Sequence, residues 1–510
     1  MLRSNNIWTA SFVVFVSSAC TLVLELVAGR IMAPYVGVSL YTWTSIIGVV
    51  LAGISVGNYL GGKVADRWAS HTTLGILLLL SGLASLSVLL MINFLVNGLP
   101  FTLPLVAKIL ALTTIVFFAP SCIMGTISPL VVKLVLQRLE ETGNIVGKIY
   151  AFSALGSIVG TFLTGFILIE LVGTRVIVAI IGVVLLLMAA VFGDWRKAKV
   201  EGAILVLLFA AFGGYLYQEQ KMESPFLKET NYYSIRVNEK VREDNTVIKE
   251  LVLDHLIHSF NNMTDPTQLE YGYEKIYAEV TKYLTRTKRT LNTLSIGGGG
   301  YTFPRYIELV YPGSVVEVVE IDPGVTEVAY AHLGLPQDTT IKTFTEDARM
   351  FFERNSFGQK YDLVMGDAFN DLSLPYHLTT LEFNEKVKKA LQPDGFYMVN
   401  VIDSYKKGEF MRAYINTLKL TFPYVYLFGL GTSWEWEGSS TYIVLAGASA
   451  LDLEDYRQFV TSNGRSYPSD TIMPDEQLSE YLRSGRQIIL TDDYAPVDNL
   501  MAPRFVERGY

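Results

Sequence analysis

Residues 291–322 read LNTLSIGGGGYTFPRYIELVYPGSVVEVVEID. A short apolar run, Leu291 to Ile296, enters four glycines, Gly297 to Gly300. A helix-like segment then leads to a second apolar run that ends in Glu320 and Asp322. Strand, glycine turn, helix and strand make one βαβ unit. Glycines at the first turn let a ligand lie against the backbone, and an acid at the end of the second strand accepts hydrogen bonds from ribose hydroxyls. A glycine run alone marks only a tight turn. Together with the acid pair it points to a nucleoside-bearing cofactor held by Gly297, Gly298, Gly299, Glu320 and Asp322.

The alternation continues downstream. Ile341 to Phe344 reads as a strand ending near Asp347, Tyr361 to Met365 as one ending at Asp367, and Phe396 to Val401 as one ending at Asp403. Tyr424 to Leu430 and Thr441 to Ala446 follow a helix-like Lys407 to Leu420. The expected sheet is mainly parallel and doubly wound. Ligands in such sheets bind beyond the carboxyl ends of the strands, where Glu320, Asp347 and Asp367 fall. One strand-end Asp is commonly a helix cap; three around one glycine loop argue for a site. Upstream, YYSIRV and VIKELVLDHLIHSF flank a charged REDN turn and read as a small β layer. YGYEKIYAEVTKYL, Tyr271 to Leu284, has the helical spacing Tyr273, Ile276, Tyr277, Val280 and Leu284.

The first ~220 positions are different in kind, since their apolar runs are long enough to cross a bilayer. Seven spans are expected: Ile7 to Ala33, Thr42 to Leu60, Thr73 to Leu95, Leu103 to Ala119, Ile149 to Leu171, Val176 to Phe192 and Ala203 to Tyr217. Ser121 to Leu136 extends the fourth span, lies at the interface, or re-enters at Gly125 and Pro129. Glu25, Arg30 and Glu170 are intramembrane charges that read as polar anchors near span ends, or as the lining of a pathway for a polar solute. Gly53, Gly57 and Gly61, with Gly62, and Gly156, Gly160 and Gly165 suit close helix packing. Alternating spans place Arg3, Lys63, Arg67, Lys133, Arg138, Lys148, Arg196, Lys197 and Lys199 on one side, which the positive-inside rule makes cytoplasmic. Seven crossings would then put the C-terminal part outside, at odds with a nucleoside made in the cytoplasm.

The chain has 510 residues and a net charge of −8, which argues against nucleic acid as a partner. Its two cysteines, Cys20 and Cys122, lie in apolar runs and read as buried thiols outside any disulfide frame or metal site.

From about Glu229 to Leu445 the chain resembles the polyamine aminopropyltransferases, the spermidine synthase family. The motifs that carry the resemblance, in order, are LVLDHLIHS, IGGGG, VVEID, TEDAR and GDAFND. The region ahead of them is similar to the membrane-fused variants of that family through ELVAGRIMAPYVG, GNYLGGKVADRW and YAFSALGSIVGTFLTGF. The resemblance implies a multispanning α-helical membrane domain, then a small β layer, then a Rossmann-like α/β sheet of the class I methyltransferase type. Boundaries are expected at 1–220 for the membrane domain, 221–284 for the β layer and helix, 285–450 for the catalytic domain and 451–510 for a C-terminal extension.

It further implies transfer of an aminopropyl group from decarboxylated S-adenosylmethionine to putrescine or a related amine, with release of methylthioadenosine. Carried over by position, Glu320 holds the ribose, Asp347 with Ala348 the adenine, and Asp367 with Asp371 the chemistry. His258, Tyr273, Asn370 and Tyr376 are expected around the substrate amine. The lipid bilayer is an expected partner, nucleic acid is not, and members of the family commonly form dimers or tetramers.

The sequence departs from the family where an Asp after three glycines binds the donor's amino group; here that residue is Gly300. The second acid of the catalytic loop is Asn370, with Asp371 one place later, and His258 stands for a glutamine of the β layer. His377 is a further candidate for the pocket wall; Trp434 and Trp436 read as a lid over a cation or as the packing of a loop, and Thr491 to Leu500 as a closing loop or a solvated tail. Two other functions remain open: an S-adenosylmethionine-dependent methyltransferase, and a membrane protein that binds or transports polyamines without catalysis.

Overall fold

A computed structural model describes residues 6–98, 104–136, 139–194, 227–286, 288–355, 360–368, 374–431, 434–435, 438–462 and 472–507. The chain divides into two compact units, 1–234 and 235–510.

In the first unit, six helices among the described residues are long and apolar enough to cross a membrane: Ile7–Val36, Leu40–Trp68, His71–Ile92, Val106–Val135, Leu139–Leu168 and Thr174–Phe192. They correspond to the first six expected spans; the seventh, Ala203 to Tyr217, lies outside the described residues. The Ser121 to Leu136 segment extends the fourth helix, with a break where Leu105–Gly125 gives way to Ile127–Val135.

The glycine stripes are packing surfaces. A Cβ on Gly53 would stand 2.9 Å from Ser121 Cβ, one on Gly57 2.1 Å from the Cys122 carbonyl oxygen, and one on Gly61 2.7 Å from Thr126 Cα. The helix from Leu40 therefore lies backbone-close against the fourth helix, as small residues four apart allow. Gly156 and Gly160 do the same against the carbonyls of Phe15 and Ala19, whereas Gly62 and Gly165 face open space. Arg30 donates to the carbonyl oxygens of Tyr232 (2.6 Å) and Thr230, which makes it an anchor for the chain leaving the bundle. The Glu170 side chain lies outside the described residues. Cys20 is buried, whereas Cys122, expected to be buried as well, is only partly so.

The second unit begins with antiparallel strands β1 (Ser234–Val241), β2 (Val247–Leu253) and β3 (Leu256–Asn262). The sequence reads 247–260 as one segment, but it is a hairpin turning at Asp254, whose φ of 50° supplies the left-handed residue of the turn. The helix Gly272–Leu284 follows, one residue shorter than its periodicity suggests.

The main sheet contains β4 (Asn292–Ile296), β5 (Val315–Glu320), β6 (Lys342–Thr345), β7 (Tyr361–Gly366), β8 (Leu391–Asp403), β9 (Tyr424–Gly429) and β10 (Ser440–Gly447), in the order β9-β10-β8-β7-β4-β5-β6. β8-β7-β4-β5-β6 pair in parallel, while β10 pairs antiparallel with both β8 and β9. The sheet is thus mixed: of its seven strands six run in one direction and β10 runs against them. β4 and β7 are neighbours, and the crossover direction reverses between them. The carboxyl ends of β4 and β7 therefore open the crevice in which an open α/β sheet takes its ligand.

Candidate active site

Gly297 leaves β4 with φ +97°, and a Cβ there would lie 2.5 Å from the Asp367 carbonyl oxygen. Glycine is required twice over, for the positive φ and for the close approach of β4 to the chain leaving β7. Gly298 is similarly confined, since a Cβ would meet the Tyr301 ring at 2.8 Å. Two backbone amides point at Glu320 at the end of β5: Gly298 N–H of the turn donates to its Oε2 (2.7 Å), and Asp322 N–H, just after the strand, donates to its Oε1 (2.9 Å). Burial pushes the Glu320 carboxyl up, and these amides oppose that shift.

Beside the turn lies a cavity of about 700 Å³, counted with its open mouth. Gly297 to Gly300 form one side, Met365 and Asp367 from β7 the floor, and Asn400 and Ile402 from β8 the next wall. The β2–β3 hairpin contributes Leu256 to Ser259, and the helix region contributes Tyr271, Tyr273, Glu274 and Tyr277. Asp367 is held from two sides: the Tyr273 hydroxyl donates to Oδ2 (2.6 Å) and Asn400 Nδ2 donates to Oδ1 (2.8 Å). Desolvation raises its pKa, against the pull of these two donors. Burial pushes the Tyr271 hydroxyl up to about 12, so it stays protonated at neutral pH. Desolvation pushes His258 down to about 4, so its imidazole is neutral there. No Lys or Arg is among the described residues of the wall.

The structure therefore gathers His258, Tyr273, Gly297, Gly298, Gly299 and Asp367 around one space, with Glu320 directly behind Gly298. Asp322 is fully buried and caps the helix Pro323–His332 by accepting the Gly324 N–H (2.8 Å). Asp347 caps Ala348–Arg354 through the Met350 N–H (3.1 Å), and its second oxygen pairs with His377 Nε2 (2.9 Å). That bond to His377 is the leading cause of the lowered Asp347 pKa. Ala348 is buried at the start of the same helix, and Tyr376 is exposed with its ring edge-on to His377. Asn370, Asp371 and Trp436 lie outside the described residues. Trp434 packs against Tyr405 and Tyr442, which is loop packing. The segment after Thr491 is no solvated tail: Asp492 pairs with Arg349 (Nη1 to Oδ1, 2.7 Å), and Val497, Leu500 and Met501 are buried.

Asn400 and Glu274 were not singled out in the sequence. Asn400 is one residue of an apolar strand, with no local signal. Glu274 did carry one: it shares a helical stripe with Tyr277 and Thr281, three and seven residues on, and both are buried. A carboxylate on a buried stripe calls for a reason.

The Gly300 position is sealed. A Cβ there would lie 2.0 Å from Ser259 Oγ and 2.4 Å from Asn261 Oδ1. Ser259 Oγ in turn donates to Asn261 Oδ1 (2.7 Å), and Asn261 Nδ2 donates to the Gly300 carbonyl (2.7 Å). A β-layer network fills the volume that an Asp side chain would need.

Residues 272–449 match the spermine/spermidine synthase domain. A polyamine aminopropyltransferase of Vibrio vulnificus is 36% identical over 114 residues, which is 22% of this chain and 38% of that protein. Polyamine aminopropyltransferase 2 of Aquifex aeolicus is 22% identical over 427 residues, 81% of this chain and 83% of its own length. The chain thus spans well under half of the Vibrio protein and most of the Aquifex one. The crystal structure of a probable spermidine synthase from Corynebacterium glutamicum aligns with a TM-score of 0.45 at 19% identity, over 52% of this chain and 95% of that one. By its residues 272–449 the chain belongs to the spermine/spermidine synthase family, and ahead of them it carries a region with six long apolar helices among the described residues.

Proposed function

We propose that this protein is a polyamine aminopropyltransferase of spermidine biosynthesis, anchored in the cell membrane by residues 1–220 as a multi-pass domain, with 221–284 and 285–450 forming the catalytic part and 451–510 its C-terminal extension. It moves an aminopropyl group from decarboxylated S-adenosylmethionine to putrescine or a related amine. The observation that carries this reading is the acidic, tyrosine-walled cavity beside the glycine turn, with no Lys or Arg among its described residues. Such a wall suits cationic amines and disfavours the α-carboxylate of intact S-adenosylmethionine. That supports the decarboxylated donor over the methyl donor.

In the proposed reaction, the backbone of Gly297 to Gly299 and the Glu320 carboxylate hold the ribose, and Asp347 with Ala348 the adenine edge. Asp367, oriented by Tyr273 and Asn400, draws in the acceptor. Putrescine is a dication at neutral pH, so one nitrogen must lose a proton before it can attack. Asp367 accepts that proton; His258 and Tyr273 line the space for the acceptor, and the family resemblance assigns Asn370 and Tyr376 to the acceptor and Asp371 to the chemistry. The amine lone pair forms a C–N bond to the methylene beside the sulfonium. The C–S bond breaks and its electron pair stays on sulfur, which leaves neutral methylthioadenosine. Alignment of nitrogen, carbon and sulfur is the main catalytic task, because the sulfonium is already a good leaving group.

The test is to incubate the detergent-solubilised protein with putrescine and either decarboxylated or intact S-adenosylmethionine, following products by mass spectrometry. Methylthioadenosine plus an aminopropylated amine is the expected outcome. S-adenosylhomocysteine from the intact donor would overturn the reading in favour of methyl transfer, and absence of product with every amine would favour binding or transport.

A further inference from the structure

Glu274 stands out in this cavity. It is 2% exposed, sits on the buried stripe of the helix Gly272–Leu284, and lines the space shared with Asp367. Its Oε1 accepts the hydroxyl of Thr302, two residues beyond the glycine turn. Its Oε2 is buried and has no hydrogen-bond partner among the described residues. A buried carboxylate oxygen with an open acceptor site is costly unless something fills it. Its cavity wall supplies no cation among the described residues, so a cation that pairs with it comes with a ligand.

We propose that Glu274 is the donor-side ammonium site: its Oε2 receives the primary ammonium at the end of the aminopropyl arm while Asp367 serves the acceptor amine. The division of labour follows from position. Thr302 ties Glu274 to the helix that starts at the glycine turn, the nucleoside side, whereas Asp367 ends the neighbouring strand β7. An ammonium with three donors satisfies Oε2 and balances the charge that Glu274 carries when it ionises beside Asp367. Position 300 leaves no room for a carboxylate of its own, so Glu274 is the acid available on that side of the described wall. The inference rests on the proposed aminopropyl transfer and specifies how this chain holds the arm.

Glu274 also leaves a proton signature. The titratable groups facing it are Tyr271, Tyr273 and Tyr277 on its own segment, Asp367 from β7 and His258 from the hairpin. Burial pushes its pKa up to about 8; the Thr302 bond opposes this, and the Asp367 charge adds to it. Empty, it is mostly protonated at pH 7; paired with an ammonium it ionises and releases that proton.

The experiment compares two neutral-sulfur nucleosides that differ only in the arm: methylthioadenosine, and its analogue in which a 3-aminopropyl group replaces the methyl. Calorimetry on the full-length protein at pH 7, in buffers of different ionisation enthalpy, gives both affinity and protons released. The arm-bearing compound is expected to bind roughly ten- to a hundredfold tighter and to release close to one proton. In Glu274→Gln both the preference and the proton disappear, while methylthioadenosine binds as before, which shows the fold intact. Equal affinity of the two compounds, or the same preference in Glu274→Gln, overturns the proposal. The wild-type proton count stands independently of the variant, and no release on binding the arm also overturns it. Transfer activity is read separately: turnover with an unchanged preference in Glu274→Gln sinks this inference alone. A Glu274-dependent preference without turnover supports the ammonium site and sinks the transferase reading alone.

Discussion

Replacing Asp367 by Asn tests the centre of the proposed chemistry with almost no change of shape. The two donors that grip Asp367, the Tyr273 hydroxyl at 2.6 Å and Asn400 Nδ2 at 2.8 Å, each have a carboxylate oxygen to themselves. An Asn side chain offers one oxygen and one NH2, so one donor faces another donor and must turn away. That mismatch costs about 1–3 kcal/mol locally. The larger loss is functional: the variant neither accepts a proton from the acceptor amine nor attracts it by charge. Removing a general base costs about 10²–10⁴-fold, or about 3–5 kcal/mol in the barrier, so turnover should fall by at least a hundredfold. Methylthioadenosine should still bind within a few-fold of wild type, because the glycine amides and Glu320 are untouched. The assay is product formation from decarboxylated S-adenosylmethionine and putrescine by mass spectrometry, with nucleoside affinity by calorimetry. Turnover within tenfold of wild type would refute the assignment of Asp367.

Other residues give shorter tests. Gly297→Ala places a Cβ 2.5 Å from the Asp367 carbonyl at a φ of +97°; it should destabilise the second unit by at least about 2 kcal/mol, seen as earlier denaturant unfolding and lost nucleoside binding. Gly57→Ala should loosen the helix bundle by about 1–3 kcal/mol, because its Cβ would lie 2.1 Å from a backbone oxygen. Gly62→Ala, with nothing within 4 Å, should leave melting in detergent unchanged. Asp347→Ala should cost about 1 kcal/mol at neutral pH through the lost helix cap. The folded pKa of Asp347 lies below its ordinary value of 3.8, chiefly through His377. Its ionic contribution is therefore complete above about pH 4 and fades as pH falls through the lowered value, so chemical denaturation of wild type and variant should converge on acidification.

How far the sequence reaches can be judged residue by residue. The βαβ unit was legible because its signals are local: an apolar run, a turn only glycine can make, and acids at a strand end. Asp367 and Glu320 follow from that grammar, since strand ends in such a sheet converge on one crevice. The antiparallel insertion of β10 between β8 and β9 was not legible, because strand direction is set by which edge the chain returns to and leaves no mark in either strand's composition. The turn at Asp254 hid in an apolar segment because it needs only one left-handed residue. Asp322 and Asp347 show the limit of counting acids: in this structure both spend a carboxylate oxygen on a helix N-terminus, which the sequence LVMGDAF at Asp367 resembles no less than EID or EDA does. What separates Asp367 is tertiary, namely that a tyrosine from the helix after the β layer and an asparagine from β8 both donate to it. The same helix brings Glu274 to the cavity. Tyr273, Glu274 and Tyr277 fall on one side of it because 3.6 residues complete a turn, whereas Tyr283 turns away to Tyr456 and Phe459; a helix face on which polar residues recur with the period of the apolar ones reads as the wall of a site.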